Sequence, residues 1–426
     1  MTFAVALAAS CPASGAATSD WPQWRGPARN GVTPEHSGWP QGWPPKRLWG
    51  KNVGLGCTSP ILAGGRIYVM GWHGRPDRRR NPVGSDVVYC IDALTGKEVW
   101  KQTYRSRYQP RTRAGDLGQY GGPNSTPAFD PQTQRLYTLS SDGDFRCWDT
   151  ARKGKRLWSM NLHDKYRVKR RPNVGGGVRD FGFTSSPLIL GDRVVVEVGA
   201  DNGTVIAFDK KTGAEGWRSA LKGAAGHTSG PVTLTVDGTP CLATLTLRKL
   251  VVMRLDKGHE GRTIAEYPRQ TDCGCNLAAP AVSGSAVVLT SAYNRKSTSL
   301  IEISPTGARR KWRARDYSLV CTPVIHKGLV FTVDRWAKCL DLATGKLKWR
   351  GGSFSHGSCL ATGDDKVIVF GRGRLVLLDP AKNRYHELGR VNGIVRDACY
   401  PHILLANGII CCKDKSGNIV CFSVRR

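Results

Sequence analysis

Short apolar or alternating runs, separated by tight-turn residues, recur along almost the whole chain. In one unit they cover residues 187–190, 193–198, 204–209 and 214–217, with Gly-Asp, Asp-Asn-Gly and Lys-Thr-Gly between them. Runs of about four to eight residues bounded by such turns are typical of strands in antiparallel hairpins. No stretch rich in Ala, Leu, Glu and Lys repeats at the helical period. The pattern therefore predicts an all-β chain made of up-and-down sheets.

One hairpin sequence repeats along the chain. IDALTGKEVW at 91–100 recurs as FDKKTGAEGW at 208–217 and LDLATGKLKW at 340–349. More divergent copies lie at 148–158 and 303–312. Such internal similarity indicates a repeat architecture. Each unit also opens with a small polar residue that is usually followed by proline. The openings fall at Pro60, Pro127, Pro187, Pro231, Pro280, Pro323, Leu360 and Pro401.

These eight openings predict eight blades. The last six are 37–49 residues apart, which is the length of one four-stranded propeller blade. The eighth unit shows only three strand-like runs, whereas the run at 47–53 has no unit of its own. We expect that run to join the last blade and close the ring, which removes exposed sheet edges. The prediction is an eight-bladed β-propeller of four-stranded antiparallel blades over residues 21–426, one domain, preceded by a tail at 1–20.

Composition adds a strong positive charge. The chain has 426 residues and a formal net charge of +30, from 63 basic and 33 acidic residues. Such an excess attracts polyanions or an anionic membrane surface, although a generally basic proteome explains it equally well.

The N-terminal segment indicates export. Residues 3–9 are apolar and small residues follow, which resembles a secretory signal, but no Lys or Arg precedes them, so a disordered tail is the alternative. Residues 7–11 also resemble a lipoprotein cleavage site, in which Cys11 would be lipidated and attach the protein to a membrane. No run of 18 apolar residues occurs elsewhere, so we expect no transmembrane helix. From the signal-like segment we expect an extracytoplasmic protein, either periplasmic or secreted. We also expect it to be a monomer.

The Asp-x-x-Thr-Gly-Lys-x-x-Trp hairpins and the Ser/Thr-Pro openings resemble the pyrroloquinoline quinone (PQQ) repeat family of eight-bladed propellers. The stretches 21–27, 120–127 and 182–187 resemble its bacterial extracytoplasmic branch. The resemblance covers residues 21–426 and is specific for the fold, not for the cofactor. The family includes quinoprotein dehydrogenases and also the non-enzymatic propeller lipoprotein of the outer-membrane assembly machine (BamB). It implies that the hairpin tryptophan docks between blades. These structural residues are Trp100, Trp158, Trp217, Trp312 and Trp349.

Propeller topology gathers the long insertions on one face. If each innermost strand starts at the face we call the top, the connections between blades and those between second and third strands all lie there. The insertions 71–85, 101–124 and 161–184 are rich in Arg, Lys and Tyr, which suit carboxylate, sulfate or phosphate groups. A solvated loop set that only aids solubility is the alternative. The candidate anion- or partner-binding residues are Arg75, Arg78, Arg79, Arg80, Arg105, Arg107, Arg111, Tyr120, Lys169, Arg170, Arg171 and Arg179.

The cysteines suggest a second candidate site. Cys57, Cys321, Cys359 and Cys399 lie at or just before innermost strands of neighbouring units, and His356 precedes its own strand in the same way. A thiolate and imidazole metal site is conceivable there, but the Cys-x-x-Cys spacing of dedicated zinc sites is absent, so we expect no metal.

The sequence favours a non-catalytic protein. A quinoprotein dehydrogenase needs carboxylate and amide ligands for Ca²⁺ and an aspartate base, and no motif here supplies them. Four aspartates lie near later strand ends, yet each is as consistent with a turn: Asp272, Asp316, Asp334 and Asp397. We expect a binding or assembly scaffold that contacts a protein partner or anionic ligand with its top face and has no cofactor. The alternatives are a PQQ-dependent dehydrogenase with PQQ and Ca²⁺, and a propeller that binds acidic glycan or nucleic acid.

Overall fold

The prediction of an eight-bladed propeller is confirmed. The computed structural model describes residues 19–76, 82–106, 122–168, 181–293 and 296–425. They form eight separate four-stranded antiparallel sheets. Each sheet runs from an innermost strand to an outermost strand in chain order, except the last, to which the first strand of the chain is added.

The first strand and the first four blades have the following bounds: β1 (Lys46–Asn52); β2 (Ile61–Ala63), β3 (Arg66–Pro76), β4 (Pro82–Asp92) and β5 (Glu98–Ser106); β6 (Ala128–Asp130), β7 (Arg135–Leu139), β8 (Asp144–Asp149) and β9 (Lys155–Asn161); β10 (Leu188–Leu190), β11 (Arg193–Ala200), β12 (Gly203–Asp209) and β13 (Glu215–Arg218); β14 (Val232–Val236), β15 (Thr239–Leu245), β16 (Lys249–Arg254) and β17 (Thr263–Pro268).

The remaining blades follow in the same order: β18 (Ala281–Ser283), β19 (Ala286–Ser291), β20 (Ser297–Ser304) and β21 (Gly307–Ala314); β22 (Val324–His326), β23 (Leu329–Val333), β24 (Ala337–Asp341) and β25 (Leu347–Gly351); β26 (Gly357–Ala361), β27 (Val367–Gly371), β28 (Arg374–Leu378) and β29 (Glu387–Val391); β30 (Leu404–Ala406), β31 (Ile409–Lys413) and β32 (Asn418–Ser423). One short helix, α1 (Leu162–Tyr166), and 3-10 turns at Asp272–Gly274 and Pro380–Lys382 lie between strands. Within the described residues, no helix has the length and hydropathy to cross a bilayer.

The strand near the N-terminus supplies the outermost strand of the eighth blade. β1 pairs antiparallel with β32, from Lys46 opposite Ser423 to Asn52 opposite Asn418. Buried residues of the seventh, eighth and first blades then form one continuous apolar cluster. The two ends of the propeller sequence are therefore held together by a strand pair and by a shared core.

The tryptophan of the repeated hairpin packs against the turn of the next blade. The indole of Trp312, on the outermost strand of the fifth blade, donates to the Leu342 carbonyl of the sixth blade at 2.9 Å. The same ring lies against Gly345, where a Cβ would come within 2.6 Å of it and where φ is +72°. Only glycine meets both demands, which explains the Thr-Gly turn. The same ring-to-glycine contact joins Trp49 to Gly96, Trp100 to Gly154 and Trp158 to Gly213.

Two tryptophans of the set are placed differently. Trp217 packs in an apolar cluster of the third and fourth blades. Trp349 packs against Phe331 and Tyr385, with ring centroids 6.2 and 6.0 Å away. The seventh blade has no Thr-Gly turn, so Trp349 contacts the Tyr385 ring of that blade and not a turn glycine.

The first insertion is a strand extension and not a loop. β3 and β4 stay paired from Arg66 opposite Asp92 to Pro76 opposite Pro82. Gly74 and Gly84 make room for Trp72, because a Cβ at either position would lie 2.4–2.5 Å from its ring. The insertion joins the second and third strands of the first blade, as expected, and its described part is a paired extension of both strands.

Candidate functional site

A cavity of about 290 Å³ opens on the top face around the central axis. Its described walls come from the residues that precede the innermost strands of seven blades, which confirms that these connections converge. The wall is apolar, aromatic, hydroxyl-bearing and imidazole-bearing. We call it the axial pocket; its described lining residues are Trp24, Cys57, Ser59, Asn124, Thr126, Phe181, Thr184, His227, Ser229, Leu277, Tyr293, Leu319, Val320, Tyr400 and His402.

The small polar residue that opens each unit holds the wall together. The Ser59 backbone N–H donates to the Thr126 hydroxyl of the next blade at 3.0 Å, and the Thr126 N–H donates to the Ser186 hydroxyl at 3.0 Å. The His402 N–H of the eighth blade donates to the Ser59 hydroxyl of the first at 2.8 Å. Because a backbone donor of one blade needs a short hydroxyl on its neighbour, Ser or Thr recurs at this point. The wall is rigid as a result.

The floor of the pocket comes from outside the repeats. Trp24, on the segment 20–45 that precedes β1, is 1% exposed and lies edge-on to His402 with 5.5 Å between ring centroids. The guanidinium groups of Arg25 and Arg29 lie 5.4 and 5.2 Å from the Trp24 ring centroid. Arg25 donates to the Pro323 carbonyl at 2.6 Å, and Arg29 donates to the Pro187 carbonyl at 2.9 Å. The segment is thereby fixed to the third and sixth blades.

His402 is a neutral imidazole in the wall. Its side chain is buried, and its Nε2 has no hydrogen-bond partner among the described residues. Burial, together with the nearby charge of Arg25, lowers the pKa of His402 to about 3. A neutral ring with an unpaired nitrogen can exchange one hydrogen bond with a bound group.

Acid should destabilise the protein through His402. Because its pKa is about 3 when folded and 6.5 in the reference state, the unfolded chain binds the extra proton as pH falls between these values. Relative to His402→Gln, the wild type should lose about 2 kcal/mol of unfolding free energy between about pH 7.5 and pH 5. Urea titrations at the two pH values measure this difference. The control is His36→Gln at an exposed histidine, which should lose as much unfolding free energy between the two pH values as the wild type. If His402→Gln also lost as much as the wild type, His402 would not be the source of the acid sensitivity.

The axial pocket does not fit a Ca²⁺–PQQ centre. Such a centre takes carboxylate oxygens as metal ligands and a carboxylate as base. The described lining contains neither Asp nor Glu. Across the described chain, no three His, Cys, Asp or Glu side chains are grouped so as to hold a metal ion.

The cysteine cluster expected near the axis is only partly brought together. Cys321 and Cys359 are buried side by side, and contact with Cys321, with burial, raises the pKa of Cys359 well above the ordinary thiol value. Cys57 lines the axial pocket. Cys399 lies in the connection between β29 and β30, and its Sγ accepts the Gly373 backbone N–H at 3.5 Å. His356 Nδ1 is 3.5 Å from Asp334. As described, the five form no single ligand set.

The candidate anion- or partner-binding residues on the three long insertions are described only in part. Arg75 and Arg105 are exposed and lie on β3 and β5, so they project from the extended first blade. The other candidates fall outside the described residues: Arg78, Arg79, Arg80, Arg107, Arg111, Tyr120, Lys169, Arg170, Arg171 and Arg179. Cys11, the candidate lipid attachment point, falls outside them as well.

Sequence reasoning missed Trp24 and His402. His402 follows the Pro401 opening, and the rule that openings converge at the axis was enough to place it. Trp24 belongs to no repeat, so no spacing in the sequence connects it to the pocket.

Comparison with known proteins agrees with this architecture. The family model described as "Outer membrane protein assembly factor BamB" matches residues 39–178 and 84–351, together more than half of the chain. The chain belongs to this PQQ-repeat family. No curated protein matches the chain.

Solved structures show the same fold. BamB from Moraxella catarrhalis is 13% identical with a TM-score of 0.59, over 89% of this chain and 99% of that one. Quinohemoprotein alcohol dehydrogenase from Comamonas testosteroni is 16% identical with a TM-score of 0.64, over 97% of this chain and 81% of that one. The computationally designed protein Ika8 is 12% identical with a TM-score of 0.55, over 89% and 99%. At such identities the likeness concerns the fold alone.

Proposed function

We propose that this protein is an extracytoplasmic, non-catalytic propeller that binds a segment of a partner protein in its axial pocket. The composition of the pocket carries the proposal: its described lining has no Asp, Glu, Lys or Arg, but four aromatic rings, three aliphatic side chains and a circle of hydroxyl groups. Such a wall suits an uncharged apolar or aromatic side chain whose backbone exchanges hydrogen bonds with the rim.

The family supports an assembly role. The matching model is described as an outer-membrane protein assembly factor, which is consistent with a binding module outside the cytoplasm. Lack of a carboxylate base and of a Ca²⁺ ligand set in the described pocket argues against the dehydrogenase alternative. A rigid pocket on a rigid scaffold loses little entropy when it takes up an anchor side chain, which favours binding.

Filling the pocket should abolish partner binding. Leu277 lines the pocket and is partly exposed, so Leu277→Trp should occupy it without disturbing the hydrogen-bonded wall. Random peptides displayed on phage are selected on the immobilised protein, and the best are synthesised for fluorescence anisotropy. We expect enriched peptides to carry an aromatic or aliphatic anchor, and their affinity to fall by about ten-fold or more in the variant.

The control is Leu347→Trp, which adds the same ring at an exposed leucine on the outer strand β25. It should bind the peptides like the wild type. Equal loss in both variants, or peptides that bind both unchanged, would contradict the pocket as the binding site. Stoichiometric binding of added PQQ with Ca²⁺, followed by its absorbance and by dye-linked alcohol oxidation, would instead favour a dehydrogenase.

A further inference from the structure

A second cavity, of about 350 Å³, lies on the top face at the border of the fifth and sixth blades. Three separate stretches form it: the connection after β21, the turn between β23 and β24, and the end of β25. We call it the sixth-blade cavity. Its lining residues are Arg315, Asp316, Tyr317, Asp334, Arg335, Trp336, Lys338 and Arg350.

Cations dominate this cavity. Four of its eight lining residues are Arg or Lys, and Lys296 lies beside it, 5.7 Å from the Tyr317 ring centroid. Two carboxylates oppose them. Lys338 Nζ is 3.8 Å from Asp316 and the His356 ring is 3.5 Å from Asp334, so both acids already have partners. The guanidinium groups of the three arginines form no ion pair with described residues, which leaves their forks available to an anion.

Aromatic rings hold the cations in place. The guanidinium groups of Arg335 and Arg350 lie 4.9 and 5.1 Å from the Trp336 ring centroid. Lys338 Nζ lies 4.6 Å from the Tyr317 ring centroid and donates to the Tyr317 carbonyl at 2.8 Å. Cation–π contacts reduce the freedom of long side chains before a ligand arrives, so less entropy is lost on binding. The cavity is therefore preorganised for negative charge.

The same contacts favour one class of polyanion. Single-stranded nucleic acid is held by bases that stack on open aromatic faces. Here Trp336 and Tyr317 are each contacted by two cations, which compete with a base for the ring faces. The carboxylates of Asp316 and Asp334 repel any anion, but they accept hydrogen bonds from hydroxyl groups, which a sugar chain carries in much larger number than a nucleic acid. A chain that combines acidic groups with many hydroxyls satisfies both the arginine forks and the carboxylates.

We propose that the sixth-blade cavity binds an acidic glycan, through carboxylate or sulfate groups held by Arg315, Arg335 and Arg350 and hydroxyl groups held by Asp316 and Asp334. The site is separate from the axial pocket and does not depend on it. The net charge of +30 increases the rate at which such a polymer encounters the protein, and the sixth-blade cavity is the specific site at which it then binds.

The test measures binding of a fluorescein-labelled heparin oligosaccharide by anisotropy at one fixed salt concentration. Arg335→Glu with Arg350→Glu should weaken binding by about ten-fold or more, because two fork contacts become repulsive. The control, Lys346→Glu with Lys382→Glu, changes the net charge equally at exposed bottom-face turns. It should weaken binding by less than about three-fold, through long-range charge alone. Equal losses in the two double variants would overturn the proposal.

A further variant separates preorganisation from charge. Trp336→Leu keeps every charge but removes the ring that positions two arginines, and it should weaken heparin binding by about three-fold or more. Unchanged binding would contradict the role of the ring.

Competition assays test the class of ligand. Oligogalacturonate should compete with heparin and neutral dextran should not. An oligothymidylate of matched charge that competes as well as heparin would overturn the assignment to glycan. Circular dichroism and thermal melting check that each variant is folded.

Discussion

Replacing Arg25 by alanine should lower the free energy of unfolding by about 3–4 kcal/mol, because a buried and a partly buried carbonyl group lose a charged donor and a cavity remains. Arg25 is 1% exposed and donates to Pro323 at 2.6 Å and to Asn30 at 2.8 Å. The first bond ties the segment before β1 to the sixth blade, and the second fixes the bend of that segment. Denaturant titration measures the loss, and limited proteolysis within 20–45 should become faster.

The control for this prediction is Arg152→Ala. The Arg152 side chain is 71% exposed and makes only a long ion pair within its own turn. Its removal should change the unfolding free energy by less than about 0.5 kcal/mol. If the two variants were equally stable, Arg25 would not be the residue that holds the segment 20–45 beneath the axial pocket.

Replacing Lys210 by methionine should cost about 3–5 kcal/mol, since the carboxylate of Asp130 would stay buried without its partner. Lys210 Nζ lies 2.7 Å from Asp130 Oδ2, and the two side chains are only 8% and 4% exposed. The pair joins the innermost strand of the second blade to the third blade. The double variant with Asp130→Asn should recover most of the loss, because two neutral groups replace an unpaired charge. A double-mutant cycle by denaturant titration gives the coupling energy.

The unfolding free energy that is lost in Lys210→Met should also depend on pH. Burial raises the pKa of Asp130, but the bond from Lys210 and the hydrogen bond from Thr133 lower it more, so the pKa lies below the ordinary value. The pair therefore contributes its full stability above the unfolded pKa of about 3.9, and the contribution disappears as pH falls through the folded pKa. Lys211→Met, an exposed neighbour, is the control and should show neither effect. A loss that stays constant down to strongly acidic pH would contradict the ion pair.

The repeat made the fold predictable. Each hairpin specifies its own structure: the Asp209 carboxylate accepts the Thr212 backbone N–H at 2.8 Å and its hydroxyl at 2.9 Å, and the following glycine takes a left-handed φ. Such contacts span only a few residues, so sequence spacing is sufficient to identify them. The position of the insertion at 71–85 was predictable, but its strand pairing was not, because Gly84 makes room for Trp72 through a contact across strands.

The functional surface was less predictable. The axial pocket follows from topology for residues at blade openings, such as His402, but not for Trp24. The sixth-blade cavity combines Arg315, Trp336 and Arg350 from three stretches, and no spacing in the sequence relates them. Basic and aromatic residues are frequent in this chain, so composition cannot distinguish a built site from scattered surface charge.

The sequence by itself determined the class, the number of blades and the chemistry of the turns, because these depend on hydrogen bonds and backbone angles within short segments. The tertiary structure decided which side chains face the axis, how the segment before β1 is anchored under the pocket, and which cations meet at the sixth blade. Those features depend on contacts between residues that are remote in the chain, such as Arg25 with Pro323. Only closure of the sheets into one ring brings them within bonding distance.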